Sequence, residues 1–153
     1  MANAFGQFDG KPITTVRPFS IYGPGEANFR FIPTVCRQLI NGKKINLAMG
    51  NHDWIYIDDF IEALLKITFS DNEYYVYNIG TGIESSNLDI LSNLEKISGK
   101  KTMVEYINPI RTDDKSEHWV ADITRLKALA WKPKFTIQQG LEATYKYYAK
   151  QGS

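Results

Sequence analysis

The chain is poor in the residues that build metal and covalent redox sites. It has one cysteine, Cys36, and two histidines, His52 and His118, among 153 residues. A lone cysteine excludes an intrachain disulfide, and the three side chains share no ligand spacing, so no metal site is expected. Cys36 falls at helical spacing with Phe31, Ile32, Val35 and Leu39, which predicts a buried thiol. Charge of one sign is also lacking: 18 basic residues against 17 acidic give a formal net charge of +1. That excludes the electrostatic footprint of a nucleic-acid binder or of a protein held on an anionic membrane. No apolar run approaches the ~18 residues of a membrane span, and the N-terminus has no signal pattern. These absences predict a soluble, cytoplasmic chain. Repeats and low-complexity segments are absent too.

What is present is enough apolar sequence for one core. The chain is 43% hydrophobic and 23% charged, and a chain of this length buries about 68–70% of its unfolded surface. Strand and helix signals alternate, so the fold class is α/β. Residues 2–9 read as the tail of a helix that Gly10-Lys11-Pro12 breaks, making 1–12 a helix tail and linker. Residues 13–20 read as a strand with Pro18 near its end. Phe31 to Ile40 has helical spacing, closed by Asn41-Gly42. Residues 45–49 form an apolar segment. Residues 54–57 read as a buried strand, and Asp58 or Asp59 caps the next helix, whose apolar face is Phe60, Ile61, Leu64 and Leu65. Residues 74–79 are a strand ending at Gly80-Thr81-Gly82. Ser86 opens a helix with Leu88, Leu91, Leu94 and Ile97 inside and Gly99 past its end. Residues 102–107 alternate as a strand, 108–118 form a polar loop, and Asp122 caps a short helix stopped by Lys132-Pro133. Thr136 with Gln139 fits a capping box for the last helix, with Leu141, Tyr145 and Tyr148 on one side. Residues 13–149 form the body of a single domain and 150–153 a tail.

Four stretches stand out in order: Arg17-Pro18-Phe19-Ser20-Ile21-Tyr22-Gly23-Pro24, the central Gly50-Asn51-His52-Asp53-Trp54-Ile55-Tyr56-Ile57-Asp58-Asp59, Tyr77-Asn78-Ile79-Gly80-Thr81-Gly82, and Trp119-Val120-Ala121-Asp122. By pattern alone, the central stretch reads as a packing joint between strand and helix. Together the four resemble the C-terminal half of an extended short-chain dehydrogenase, the NAD-dependent sugar-nucleotide epimerase/dehydratase family. The resemblance implies a substrate-binding part carrying two strands of a Rossmann-type sheet, with the nucleotide-binding half missing. That half's glycine-rich turn has no counterpart here: Gly80-Thr81-Gly82 lacks the third glycine. The family's catalytic Tyr-x-x-x-Lys is absent as well, so no catalytic residue is assigned and no cofactor is expected for the chain alone, although the family uses NAD or NADP.

The resemblance also implies substrate contacts. Arg111 and Asp114 resemble the family's Arg-x-x-Asp, in which the arginine grips phosphate and the acid holds a ribose hydroxyl; on residue type alone they are a charged loop. Arg30 and Phe31 stand at the family's substrate-contacting helix start. Met49 stands beside the base position, though by its own chemistry it is core filler. Ser20 replaces a frequent asparagine next to the phosphates, and Pro18 and Phe19 match positions whose backbone lies near the nicotinamide. His52 stands where the family has an arginine on the diphosphate. An imidazole of ordinary pKa, ~6.5, is mostly neutral at pH 7 and is the weaker anion anchor.

Three functions follow from this: a weak sugar-nucleotide-binding module without its redox half, a subunit of a split epimerase/dehydratase completed by a separate nucleotide-binding chain, or an assembly protein with an empty former pocket. Without neighbouring strands, the edges at 13–20 and 74–79 predict a homodimer or larger homo-oligomer.

Overall fold

The computed structural model describes residues 13–71, 74–107 and 118–151. The expected first strand is two strands. β1 (Thr15–Pro18) pairs parallel with β5 (Val76–Ile79), and β2 (Ser20–Tyr22) pairs parallel with β4 (Asn51–Tyr56). The chain changes sheets at Phe19, whose N–H donates to Ile79 while its carbonyl accepts from Ile21. Pro18, with no N–H, sits where the first ladder ends. β4 also pairs antiparallel with β6 (Glu84–Ser86), a three-residue strand too short for the sequence to announce. β3 (Ile45–Ala48) pairs parallel with β7 (Val104–Ile107).

Five helices pack on these strands among the described residues: α1 (Phe31–Ile40), α2 (Ile57–Thr68), α3 (Asn87–Ser98), α4 (Thr124–Ala128) and α5 (Ile137–Gln151). Local chemistry sets several ends as expected. Gly42 and Gly99 take left-handed conformations after α1 and α3. Ser86 and Asp89 form a reciprocal capping box on α3, and Thr136 and Gln139 form one on α5. Leu88, expected inside α3, is exposed, and Ile90 is buried in addition to Leu91 and Leu94.

The helix after the central stretch departs further. Neither Asp58 nor Asp59 caps α2; the N-cap residue is Tyr56, without a side-chain bond. Asp59 is buried and accepts the N–H groups of Lys134 and Phe135 at 2.9 and 3.0 Å. The expected inner face of α2 is mostly outside: Ile61, Leu64 and Leu65 are exposed, while Ala63 and Ile67 are buried and Phe60 is partly so. The helix is apolar on two adjacent faces, and the strands beneath it cover only one.

The buried side chains form two clusters. The larger gathers Tyr22, Val35, Leu39, Trp54, Leu94, Leu141 and their neighbours where α1, α3 and α5 pack pairwise. The smaller gathers Ile55, Ala63, Ile67, Tyr77, Ile79, Leu126 and Trp131 around β5, α2 and α4. Close packing reaches the backbone at Gly140, where an added Cβ would lie 2.1 Å from the Tyr22 hydroxyl. Cys36 is buried in the larger cluster, as expected, and burial pushes its thiol up to about 12.

Candidate substrate site

Alternation along β4 decides which of its residues can meet a ligand. His52, Trp54 and Tyr56 face one side, Asp53 and Ile55 the other. The β2–β4 register sets Ser20 beside Trp54, and the Ser20 hydroxyl lies 3.4 Å from His52 Nδ1. The His52 and Trp54 rings are 5.0 Å apart, and Phe31, first residue of α1, stands 6.0 Å from Trp54. Ser20, Phe31 and His52, expected from three separate stretches, therefore converge on one indole. The N-terminus of α1 has no side-chain cap, which leaves first-turn amides for water or an anion.

The other expected residues are placed differently. Arg30, just before α1, donates from Nε to Glu26 Oε1 at 3.2 Å and lines a cleft of about 340 Å³ with Tyr22, Pro24 and Ile57. Glu26 is mostly buried, and burial, partly offset by Arg30, raises its carboxyl above the usual range. Met49 is not core filler: it is 55% exposed in the β3–β4 connection. Pro18 is exposed, and the half-buried Phe19 meets Trp119 with ring centroids 5.8 Å apart, at the carboxyl ends of β1 and β5. Arg111 and Asp114 lie outside the described residues. His118 is exposed and sits 3.1 Å from the Glu84 carboxylate.

Two buried residues that shape the loops around the site escaped the sequence reading. Asn87 is buried behind the Met49 loop: its side chain donates to the Ala48 carbonyl at 3.0 Å and its N–H to the Gly50 carbonyl at 2.9 Å. A Cβ at Gly50 would meet Asn87 Nδ2 and His52 Nε2 at 3.4 Å, an ordinary contact distance. The only signal for Asn87 was its place just after the Ser86 cap. Asp53, wholly buried, accepts from the Thr81 N–H (2.7 Å), the Thr81 hydroxyl (2.6 Å), the Gly82 N–H (2.8 Å) and the Ala121 N–H (3.1 Å). It staples the ends of β4 and β5 to the segment before α4. Asp53 also decides what the Gly80-Thr81-Gly82 turn can do. Amides directed at a carboxylate are not free to cradle a pyrophosphate, so this turn does not serve as a phosphate-binding loop.

Among the described residues no group of three or more His, Cys, Asp or Glu could hold a metal, and no helix is long and apolar enough to cross a membrane. What the site offers is hydroxyl, imidazole and amide donors beside aromatic faces, a combination suited to an anionic group attached to a ring.

Known proteins resemble this chain in sequence and in fold. The low-salt glycan biosynthesis protein Agl12 of Haloferax volcanii is 30% identical over 141 residues, covering 90% of this chain and 45% of that protein. CDP-abequose synthase of Salmonella typhimurium is 31% identical over 135 residues, covering 82% and 45%. The crystal structure of Thermotoga maritima UDP-glucose 4-epimerase with UDP-glucose overlays with a TM-score of 0.87 at 25% identity, covering 99% of this chain and 50% of that one. UDP-glucuronic acid 4-epimerase of Bacillus cereus, in complex with UDP-glucuronic acid and NAD, gives 0.87 at 28%, covering 99% and 49%. The chain thus spans about half the length of the relatives it matches. The model of the NAD dependent epimerase/dehydratase family matches residues 1–80, and the chain belongs to that family.

Proposed function

We propose that this chain is the sugar-nucleotide-binding portion of an epimerase/dehydratase-type protein, and that Ser20, Phe31 and His52 receive a nucleoside-diphosphate sugar beside Trp54. The observation that carries this is the convergence of those residues on one indole, with the uncapped start of α1 next to them. The ligands named for the two solved epimerases, UDP-glucose and UDP-glucuronic acid, are of this class. Arg30, Met49, Arg111 and Asp114 are the further contacts this reading assigns. Hydride transfer lies outside it, because the turn after β5 is committed to Asp53 and the sequence has no Tyr-x-x-x-Lys.

Titration calorimetry with UDP-glucose tests the reading. Binding is weak at pH 8 and tightens toward pH 6 as the imidazole at position 52 takes up a proton and its hydrogen bond to phosphate becomes charge-assisted. His52→Arg supplies that charge permanently, so it tightens binding at pH 8 by about fivefold and flattens the pH dependence. A variant that binds UDP-glucose no better than the parent at pH 8 overturns the role given to position 52. No heat with UDP-glucose at any pH overturns the site.

A second reading, a subunit completed by a separate nucleotide-binding chain, is favoured by one observation. Among the described residues, β5 is the one strand beside β1, and no second strand is ordered on its other side. The outer edge of β5, by contrast, is closed by Arg125, whose guanidinium donates to the Val76 carbonyl at 2.6 Å, and by Asn78, whose side chain donates to the Asp122 carbonyl. Turnover of UDP-glucose only when a second polypeptide is added would select this reading.

A further inference from the structure

We infer that Glu26 is a positioning residue of the candidate site: it grips Arg30 through Nε and so presents the terminal guanidinium nitrogens to a phosphate of the bound sugar nucleotide. The inference rests on the reading of the site given above. Arg30 Nε donates to Glu26 Oε1 at 3.2 Å. Nε carries one of the five guanidinium donors. A carboxylate held end-on would have used the fork of terminal N–H groups that matches a phosphate; a bond through Nε leaves that fork available. Exposure rises outward along the pair, from 14% for the Glu26 side chain to 53% for Arg30. The carboxylate is therefore the inner partner and the guanidinium the outer one, in the cleft of about 340 Å³ that both line.

The loop that carries the pair is itself braced. The Tyr148 hydroxyl, on α5, donates to the Glu26 carbonyl at 2.8 Å, and the Glu26 N–H donates to the Gly23 carbonyl at 3.3 Å. The Arg30 N–H donates to the Ala27 carbonyl at 2.9 Å. From α1, the Thr34 hydroxyl and the Arg37 guanidinium both donate to the Asn28 carbonyl. Two links set this loop beside the candidate site. Arg30 immediately precedes Phe31, which stands against Trp54, and Tyr22, a wall of the cleft, has its ring 6.4 Å from the Trp54 ring. Arg30 is also the N-cap residue of α1, so its charge lies where the helix start already favours an anion. That charge is permanent, whereas the imidazole of His52 carries one only when protonated. A long exposed side chain loses rotamer freedom when it binds a ligand; one already held through Nε has lost part of it beforehand.

Titration calorimetry at pH 8 with UDP-glucose, and in parallel with UDP, tests this. Arg30→Ala weakens both ligands by about tenfold, the loss of one charge-assisted bond to phosphate. Glu26→Ala weakens both by about fivefold, while Glu26→Gln keeps an acceptor for Nε and stays within about twofold of the parent. Glu26→Ala combined with Arg30→Ala binds no more weakly than Arg30→Ala alone, because Glu26 acts only through the arginine. Arg30→Lys keeps the charge without the Nε donor and the fork, so it weakens binding by about fivefold; it decides the matter if Glu26→Ala does not fold. An Arg30→Ala or Arg30→Lys variant as tight as the parent overturns the inference and leaves the reading of the site standing. So do losses from Glu26→Ala and Arg30→Ala that multiply in the double variant. A loss with UDP-glucose that UDP does not share puts the arginine on the sugar and overturns it as well. A parent that binds neither ligand overturns the reading of the site and this inference with it.

Discussion

The two clusters of this molecule are built to different degrees of completion. In the larger, α1, α3 and α5 close over β2, β3 and β4, and the packing is tight enough that Gly140 has no room for a methyl group. In the smaller, two parallel strands carry one long helix and one short one, one sheet edge is closed by side chains, and α2 keeps an apolar stripe in solvent. Parallel sheets ordinarily have both faces covered. The contrast shows that the chain's apolar sequence is written for more surface than the described residues bury, and the excess is concentrated in one region. The candidate substrate site belongs to the completed region. Two buried carboxylates hold the regions together: Asp53 reaches from β4 to the turn after β5, and Asp59 reaches from α2 to the segment before α5.

The largest effect should come from breaking that connection. Asp53→Ala removes the acceptor of four donors and leaves the buried Ala121 N–H and the part-buried Thr81 and Gly82 N–H groups without it, at a cost of about 3–5 kcal/mol in urea melts. A loss below about 1 kcal/mol would mean that the regions are joined by packing alone. A pair of matched truncations sharpens the contrast itself. Leu94 and Leu126 are both fully buried, one in each cluster. The cost of Leu→Ala depends on how far the surroundings can collapse, so Leu94→Ala should cost about 4 kcal/mol and Leu126→Ala about 3 kcal/mol. Equal costs, or the reverse order, would show that the open region is as rigid as the closed one.

How much of this was legible in the sequence follows the range of each interaction. The Thr136–Gln139 box, Gly42 and Gly99 act within a turn and were read directly. The buried face of α2 was not, because residues 60, 61, 64 and 65 and residues 60, 63 and 67 are both helical stripes, and only the strands beneath choose between them. Asp53 stands just before the strand read at 54–57 and Asp59 reads as a cap; their partners lie 28 to 76 residues away. β6 is three residues of Glu-Ser-Ser with no β-branched signal. Ser20, Phe31 and His52 were reached through family resemblance. Nothing in their own chemistry announces that β2, α1 and β4 bring them to one indole.

The smallest expected effect lies at the cleft beside Arg30, on the rim of the completed region. Glu26 has 14% of its side chain exposed, and its Oε2 has no partner among the described residues. Burial raises its carboxyl pKa, and the Arg30 bond offsets only part of that. A carboxyl whose folded pKa exceeds its unfolded value favours folding in its protonated form. That contribution is fully present below the unfolded value of 4.5 and is lost as the pH rises through the higher folded value. At pH 8 the native state therefore carries a partly buried charge that the unfolded chain hydrates freely. Glu26→Gln stays neutral and can still accept from Arg30, so it should raise Tm at pH 8 by about 2 °C at this chain length. The same substitution should leave Tm unchanged at pH 3, well below the unfolded value, where the parent carboxyl is protonated in both states. A variant that lowers Tm at pH 8 would show that the Arg30 ion pair outweighs burial, and that this cleft is held by charge rather than merely tolerating it.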